Sequence, residues 1–518
     1  MKTTLRYTTI IMLTVVSLFY ASCKKDIISR NDLYPSLSPA NLDLNADTWK
    51  PVLITDPSAF TVAAPDAITS PAYVADLNEI KGYQRSLTSD QKAIINYWSA
   101  GAVLRWNEIL RELVAKHNLA PYQNVDGTYP APSSANPFAY PQFPFSNPPY
   151  AARAYAYVSA AQYDALIAAY HFKKLYNRPA PYKNDATVQA LVPKSDLPSY
   201  PSEDAVVSGA AVEMMKLLFP TEIAYIEQKA AEQKVYRIMA GANVRGELDA
   251  GESLGKQVAD VFTARARGDK AGAAIGTPTY WASLVTKTTA NGEIAWISLE
   301  TPKRPPMLPL FAKVKPFLFD TLTVAAIRPG PPHPTGSAEF KADNDEVLNY
   351  SQHATRENQQ LVAFWADGIG TYTPPGHWNA IAADEFVKQN YSEVRWARNF
   401  ALLNMAEMDA AIVCWDTKYA YFNPRPTQIN PDIKTLTGIP NFPSYSSGHS
   451  NFSGAAATVL TYLLPDRGTK FTDMAQQAAL SRLYGAIHTR QDIEVGLVTG
   501  KAVGQYAVQR GQADGAGN

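Results

Sequence analysis

Two cysteines, Cys23 and Cys414, are all that the 518 residues contain, too few for a disulfide framework. Net charge is missing as well: Lys+Arg and Asp+Glu each total 47. A nucleic-acid partner would require a basic surplus, so that class is set aside. Any attraction for an anion must come from a local cluster. Past the N-terminus no stretch offers the ~18 uninterrupted apolar residues that a membrane span needs. The best candidate, 401–415, is broken by Asn404, Glu407 and Asp409. Sustained strand alternation is absent too. What remains is 46% hydrophobic and 18% charged, the composition of an ordered globular protein.

The N-terminus reads as a leader. Lys2 and Arg6 precede an apolar stretch over 10–20, then Ala21 and Ser22 lead into Cys23. Ending on Cys rather than on A-x-A resembles a bacterial lipoprotein signal, although Tyr20 replaces the usual aliphatic residue. The expectation is an exported lipoprotein at the periplasm or cell surface, attached to the membrane only through a lipid on Cys23. Cys414, in an apolar run, then has no partner and reads as a buried, inert thiol.

Helical spacing organises the remainder. After a signal peptide at 1–22, residues 23–90 read as a loop-rich tether and wrapping segment. An N-terminal helical bundle is expected over 91–275. The Thr88-Ser89-Asp90 cap cluster opens one helix running to His117, and others are expected at 151–172, 203–218 and 221–266. Residues 276–342 form a Pro-rich, packed crossover. A C-terminal bundle over 343–518 carries helices expected at 343–365, 378–389, 392–419, 451–464 and 472–488. The fold class is all-α, two packed helical bundles.

Three short stretches concentrate chemistry. In the first, Lys418 closes a long helix, and Pro424 and Pro426 force extended backbone around Arg425. Alone it is weak, since a cation past a helix end often just complements the dipole. In the second, Ser447-Gly448-His449 feeds an apolar helix, presenting unpaired N–H groups and the positive dipole end to an anion. His449 there can move a proton near neutral pH. In the third, Arg482 offers planar recognition of an oxyanion. His488 and Asp492 stand four apart, on one helical face if helix continues there, so the carboxylate would hold one ring nitrogen and free the other. Each piece alone has an ordinary surface or capping explanation. Together they suit a tetrahedral or trigonal-bipyramidal oxyanion.

At these residues the chain resembles the superfamily of vanadium-dependent haloperoxidases and type 2 phosphatidic acid phosphatases. The pattern K-x6-R-P runs from Lys418 to Pro426; S-G-H is Ser447-Gly448-His449; S-R-x5-H-x3-D runs from Ser481-Arg482 to His488 and Asp492. Ser446 stands where the family usually has Pro, a change expected to loosen the turn without removing a ligand. The resemblance implies that Lys418, Arg425, Ser447, Gly448 and Arg482 bind equatorial oxygens and that His449 is the acid–base residue. It makes His488 the vanadium ligand of a haloperoxidase or the phosphorylated nucleophile of a phosphatase. Looser similarity to long bacterial haloperoxidase-like proteins extends from about residue 98, through Arg105-Trp106-Asn107-Glu108, Arg153, Asp164, Trp365, Asp367 and Thr373-Pro-Pro-Gly-His-Trp378. It implies that Asp367 lies against Arg482, and that Trp415 and Phe442 line the halide side in the chloroperoxidase manner. Thr489 departs from the Trp often found after the ligand His.

The resemblance implies vanadate as cofactor, with hydrogen peroxide, a halide and a small organic acceptor as substrates. A phosphate ester, with phosphate in the same pocket, is the alternative under an acid phosphatase reading. A third reading, from another class, is a non-enzymatic surface lipoprotein; the intact set of pocket residues speaks against it.

Overall fold

The computed structural model describes residues 34–119, 147–300 and 303–517. The leader and Cys23 lie outside these residues, as does most of the Pro- and aromatic-rich stretch after 120. Ser36–Asn518 forms one compact unit, and among the described residues there is no β-strand. The all-α class and the two packed bundles expected from the sequence are what the structure shows.

The first bundle holds α1 (Pro71–Gln84), α2 (Ser89–Trp98), α3 (Ala102–His117), α4 (Pro148–Tyr176), α5 (Glu203–Leu218), α6 (Ile223–Met239) and α7 (Arg245–Gly268). The crossover carries α8 (Pro278–Ala290) and α9 (Thr321–Ile327). The second bundle holds α10 (Ala338–Gln352), α11 (Arg356–Phe364), α12 (Thr373–Phe386), α13 (Glu393–Tyr421), α14 (Gly448–Leu463), α15 (Gly468–Tyr484) and α16 (Arg490–Gln512). Helices α4 and α13 are 29 residues each and buried on nearly every face. They pack against one another and join the two bundles. Ala at 151, 152, 154, 156, 160, 161, 165, 168 and 169 gives α4 the thin surface that contact between two buried helices requires.

The structure breaks several helices that periodicity alone runs together. The helix expected from 89 to His117 is two, because Gly101 takes φ +118° and the Glu393 carboxylate accepts from the N–H groups of Ala102 and Val103 at 2.6 and 3.1 Å. A carboxylate on a helix start satisfies donors that would otherwise be unpaired. A Cβ at position 101 would stand 2.9 Å from that carboxylate. The helix expected over 221–266 is likewise α6 and α7, split at Gly241, where φ is +67°. Residues 343–365 divide at Thr355, whose side chain caps α11. The helix expected at 472–488 begins earlier, at Gly468, and stops at Tyr484. His488 therefore sits in a turn, and α16 starts anew at Arg490, capped by Thr489. The segment taken as a tether carries α1, capped by Ser70, with Tyr73, Leu77 and Ile80 buried.

Close packing of α14 on α16 fixes the second bundle at its functional end. A Cβ on Gly500 would lie 2.1 Å from the Asn451 carbonyl oxygen, so only glycine allows this approach. The N-termini of both helices are thereby held side by side. Among the described residues no helix is long and apolar enough to cross a membrane.

A polar chain ties α3, α4, α12 and α13 together. Asn107 Nδ2 donates to Asn379 at 2.7 Å, Asn379 to Asn404 at 2.6 Å, and Asn404 to Ser159 at 2.8 Å. Beside it Glu407 is fully buried, and burial holds its carboxyl well above the usual range, which favours the protonated form in the folded protein. Unfolded, it ionises above about pH 4.3. The folded state then binds more protons, so its contribution to stability falls as pH rises past that value. Glu407→Gln, neutral throughout, should leave stability near pH 4 almost unchanged. At pH 8 it should raise stability by on the order of 1–3 kcal/mol. Denaturant melts at the two pH values check this, and a variant less stable than wild type at pH 8 would contradict it.

Candidate active site

The last turn of α13 delivers Lys418, and the chain then passes through Phe422 in the left-handed region to Arg425 in extended conformation. Both side chains are fully buried. Lys418 Nζ donates to the carbonyl oxygens of Pro443 and Ser444, each at 2.8 Å. Arg425 Nε donates to Phe442 O at 3.0 Å, and its Nη1 to Ile487 O at 2.8 Å. These two cations thus fix the segment that leads into α14 and the one that precedes His488. Arg482, on α15, is 1% exposed and donates from Nη2 to Val362 O at 3.3 Å.

Burial lowers the basicity of all three. Lys418 falls to about 7, and Arg425 and Arg482 to about 10, with desolvation the main cause in each. The carboxylates acting on them are Asp492 for Lys418 and Arg425, and Asp367 for Arg482. Three cations against two carboxylates leave the site short of negative charge.

His488 is held by a carboxylate at one nitrogen and met by a guanidinium at the other. Its Nδ1 meets Asp492 Oδ2 at 2.9 Å, while Ser444 Oγ donates to the same carboxylate oxygen and lies 3.3 Å from Nδ1. With Nδ1–H on Asp492, Nε2 carries the lone pair and accepts from Arg425 Nη1 at 3.0 Å. Desolvation, then the Arg425 charge, lowers its pKa to about 3, so the ring is neutral at physiological pH. Asp492 stays ionised despite its burial because His488 and Ser444 bond to it. The pairing expected from their spacing is present, but by a different route. His488 lies outside the helix, and Asp492 occupies the first turn of α16.

Ser447 is the N-cap of α14, its Oγ accepting from Ser450 N at 3.4 Å. Gly448 and His449 follow in the first turn. The turn before them is well tied rather than loosened by Ser446. Ser446 Oγ accepts from Asn451 Nδ2 at 3.0 Å, and Tyr445 N donates to Asn423 Oδ1 at 2.7 Å. The His449 ring bonds the Trp365 backbone, and burial together with Arg482 and His488 holds it well below the usual histidine range. Its Nε2 has no hydrogen-bond partner and lies 3.7 Å from Asp367 Oδ2.

A cavity of about 410 Å³ opens onto this cluster, lined by Asp367, Trp415, Phe442, Gly448, His449, Arg482 and His488. Lys418, Arg425, Ser447 and Asp492 stand behind that lining. Trp415 and Phe442 form one wall, with ring centroids 5.1 Å apart. Asp367 faces His449 and bonds His377 rather than forming a direct ion pair with Arg482. Among the described residues no group of three His, Cys, Asp or Glu side chains suits a metal cation.

Residues 400–514 match the family described as the PAP2 superfamily. No curated protein matches the chain. Among solved structures, a bacterial vanadium-dependent iodoperoxidase is similar at a TM-score of 0.58 and 23% identity, over 79% of this chain and 95% of that one. A holo-type bacterial vanadium-dependent chloroperoxidase gives 0.50 and 13%, over 74% and 97%. At these identities the likeness shows the fold.

Two groups of this site escaped the sequence reading. Ser444 lies three residues before Ser447 in a Ser-rich turn, and no local pattern ties it to Asp492. His377 lay in a stretch noted only for similarity. Thr489 has a local role: its side chain caps α16 by accepting from Asp492 N at 3.2 Å.

The residues fit an oxyanion. Arg425 Nη2 and His449 Nε2 are buried without partners. A Cβ on Gly448 would meet only Phe452, at 3.9 Å, so a side chain there would stand in the open cavity. Gly448→Ala should therefore cut oxyanion affinity about tenfold, roughly 1.4 kcal/mol, with the melting temperature nearly unchanged. Titration with vanadate followed by 51V NMR checks this. Unaltered affinity would show that no anion approaches the α14 start.

Proposed function

We propose that this chain is an exported, vanadate-dependent haloperoxidase that uses hydrogen peroxide to oxidise a halide for transfer to a small organic acceptor. The observation that carries the reading is the grouping, in and just behind the lining of one cavity, of three desolvated cations, a helix start and the Nε2 lone pair of His488, which Arg425 Nη1 meets at 3.0 Å. When bound, vanadate supplies a Lewis-acidic centre that activates peroxide toward halide without a change in its own oxidation state. The Nε2 lone pair of His488 is the group that would hold the metal; Lys418, Arg425, Arg482, Ser447 and the Gly448 N–H would hold its oxygens. Asp492 and Ser444 orient His488. His449 moves the proton, its unpartnered Nε2 facing the cavity. The Trp415–Phe442 wall supplies a dry side for a halide, and Lys418 sits 4.9 Å from the Phe442 ring.

The same constellation supports a second reading, an acid phosphatase that forms a phosphohistidine at His488. A neutral imidazole with its far nitrogen on a carboxylate is also how a histidine nucleophile is prepared. The leader ending at Cys23 supports export and lipid anchoring under either reading.

One preparation decides between them. With vanadate, peroxide and halide, the haloperoxidase reading expects halogenation of a phenolic dye; without vanadate, the phosphatase reading expects hydrolysis of a phosphomonoester that added vanadate inhibits. His488→Ala should abolish anion retention. His449→Ala should leave retention within a few-fold and slow turnover about 100-fold or more. Vanadate-loaded protein inert toward halide and peroxide would remove the first reading.

A further inference from the structure

We propose that the organic acceptor is a phenol carrying an apolar tail. Its hydroxyl donates to Asn441 Oδ1, its ring enters the cavity beside Phe442, and its tail lies along an outer groove formed by Ile297, Leu299, Ile439 and Pro440. The inference rests on the haloperoxidase reading and names the substrate class of that site.

The cavity of about 410 Å³ continues past its mouth. A second chamber of about 310 Å³ adjoins it, and Glu300, Thr437, Gly438, Ile439, Pro440 and Asn441 line both. Trp296, Ile297 and Leu299 extend the outer one. Ile297 is 40% and Leu299 39% exposed, and the backbone that carries them is fixed. Trp296 N donates to Phe422 O at 2.9 Å, Ile297 N to Gln428 Oε1 at 3.1 Å, and Gln428 Nε2 to Ala295 O at 2.8 Å. Farther along, Met307 N donates to Asn441 O at 3.1 Å, and Trp415 Nε1 to Met307 O at 3.1 Å. The crossover that builds the outer groove is thus tied to the aromatic wall of the inner cavity. Among the described residues Glu300 is the one charged side chain that lines the outer chamber, and Arg304 pairs with both of its oxygens. A groove whose charge is paired and whose aliphatic surface is open to water favours an uncharged, apolar occupant.

Asn441 adds a polar requirement where the two chambers meet. It is 4% exposed. Its Nδ2 donates to Pro305 O at 2.7 Å, while its Oδ1 is buried without a partner. An acceptor left this way is costly, and a hydroxyl on the ligand satisfies it. A phenol brings that donor together with an electron-rich ring, and Phe442, next in the chain, offers the ring an aromatic neighbour backed by Trp415. The reaction then balances as follows. Hydrogen peroxide, a halide ion and a proton give hypohalous acid and water, the halide losing two electrons to the peroxide. A ring carbon gives an electron pair to the halogen as the O–halogen bond breaks, and the proton of that carbon leaves with the hydroxide as a second water.

The probes are 3-alkylphenols from methyl to pentyl, with the methyl ether of 3-pentylphenol as the ligand that lacks the donor. In vanadate-free protein, titration followed by tryptophan fluorescence should show Kd falling about threefold with each added methylene. The ether should bind about tenfold more weakly than its phenol. The double variant Ile297→Ser, Leu299→Ser changes two exposed side chains; it should flatten the series and leave 3-methylphenol within about twofold. In vanadate-loaded protein with peroxide and halide, KM should fall along the series in the same order. A Kd independent of chain length in wild type overturns the proposal, as does a series equally steep in the double variant, or an ether bound as tightly as its phenol. Should wild type bind the phenols and halogenate none of them, the functional reading falls, and the binding series still decides what the groove and Asn441 accept.

Discussion

Three cations stripped of water at one spot set the terms for everything else in the second bundle. Charges of this kind are expensive to bury, and the cost is offset only where carbonyls or anions take the place of water. Lys418 and Arg425 spend their donors on Phe442, Pro443, Ser444 and Ile487. The two segments that build the site are therefore shaped around the cations rather than the reverse. One guanidinium nitrogen of Arg425 stays without a partner, and only Asp492 and Asp367 bring negative charge near. An anion in the cavity completes a coordination that the protein leaves open.

The two histidines of the cavity differ in how they are tethered, and the difference assigns their chemistry. His488 is held through Nδ1 by a carboxylate that a serine also grips, and a neutral ring with a directed lone pair results. His449 is held by a backbone carbonyl, a weaker acceptor, and keeps its other nitrogen beside a carboxylate that does not touch it. The first arrangement favours coordination or attack; the second favours taking up and returning a proton. Burial first, and then the surrounding cations, lower both pKa values, so the neutral form of each ring is favoured.

What the sequence disclosed follows from range. Lys418, Arg425, Ser447, Gly448, Arg482 and His488 were legible because each belongs to a short pattern whose spacing has a local physical meaning: a helix end, a helix start, a residue flanked by prolines. Helices α5 and α13 were legible because apolar residues recur along them at helical spacing. The break at Gly101 was not, because the carboxylate that stabilises it comes from Glu393, nearly 300 residues later, and nothing local announces that meeting. Ser444 and His377 were missed for the same reason: each acts on a partner brought in by another element. The His488–Asp492 pair shows the intermediate case. Four-residue spacing predicted the contact, yet a turn followed by a cap, and not a continuous helix, makes it.

The cavity has two unlike halves, and this bears on which chemistry it serves. The polar part of its lining includes His449, Asp367 and Arg482; the aromatic part is Trp415 with Phe442. Hydrolysis of a phosphohistidine needs a water in line with Nε2 of His488 and a base to deprotonate it, which asks only for the polar half. Halide oxidation needs that half for protons and, in addition, a place where a large, weakly hydrated anion loses little by leaving water. An aromatic wall beside a buried ammonium provides such a place, since the ring excludes water while Lys418 supplies the charge. Phosphoryl transfer itself does not call on that wall, so the apolar half supports the proposed redox reading, while the oxyanion cradle alone is neutral between the two.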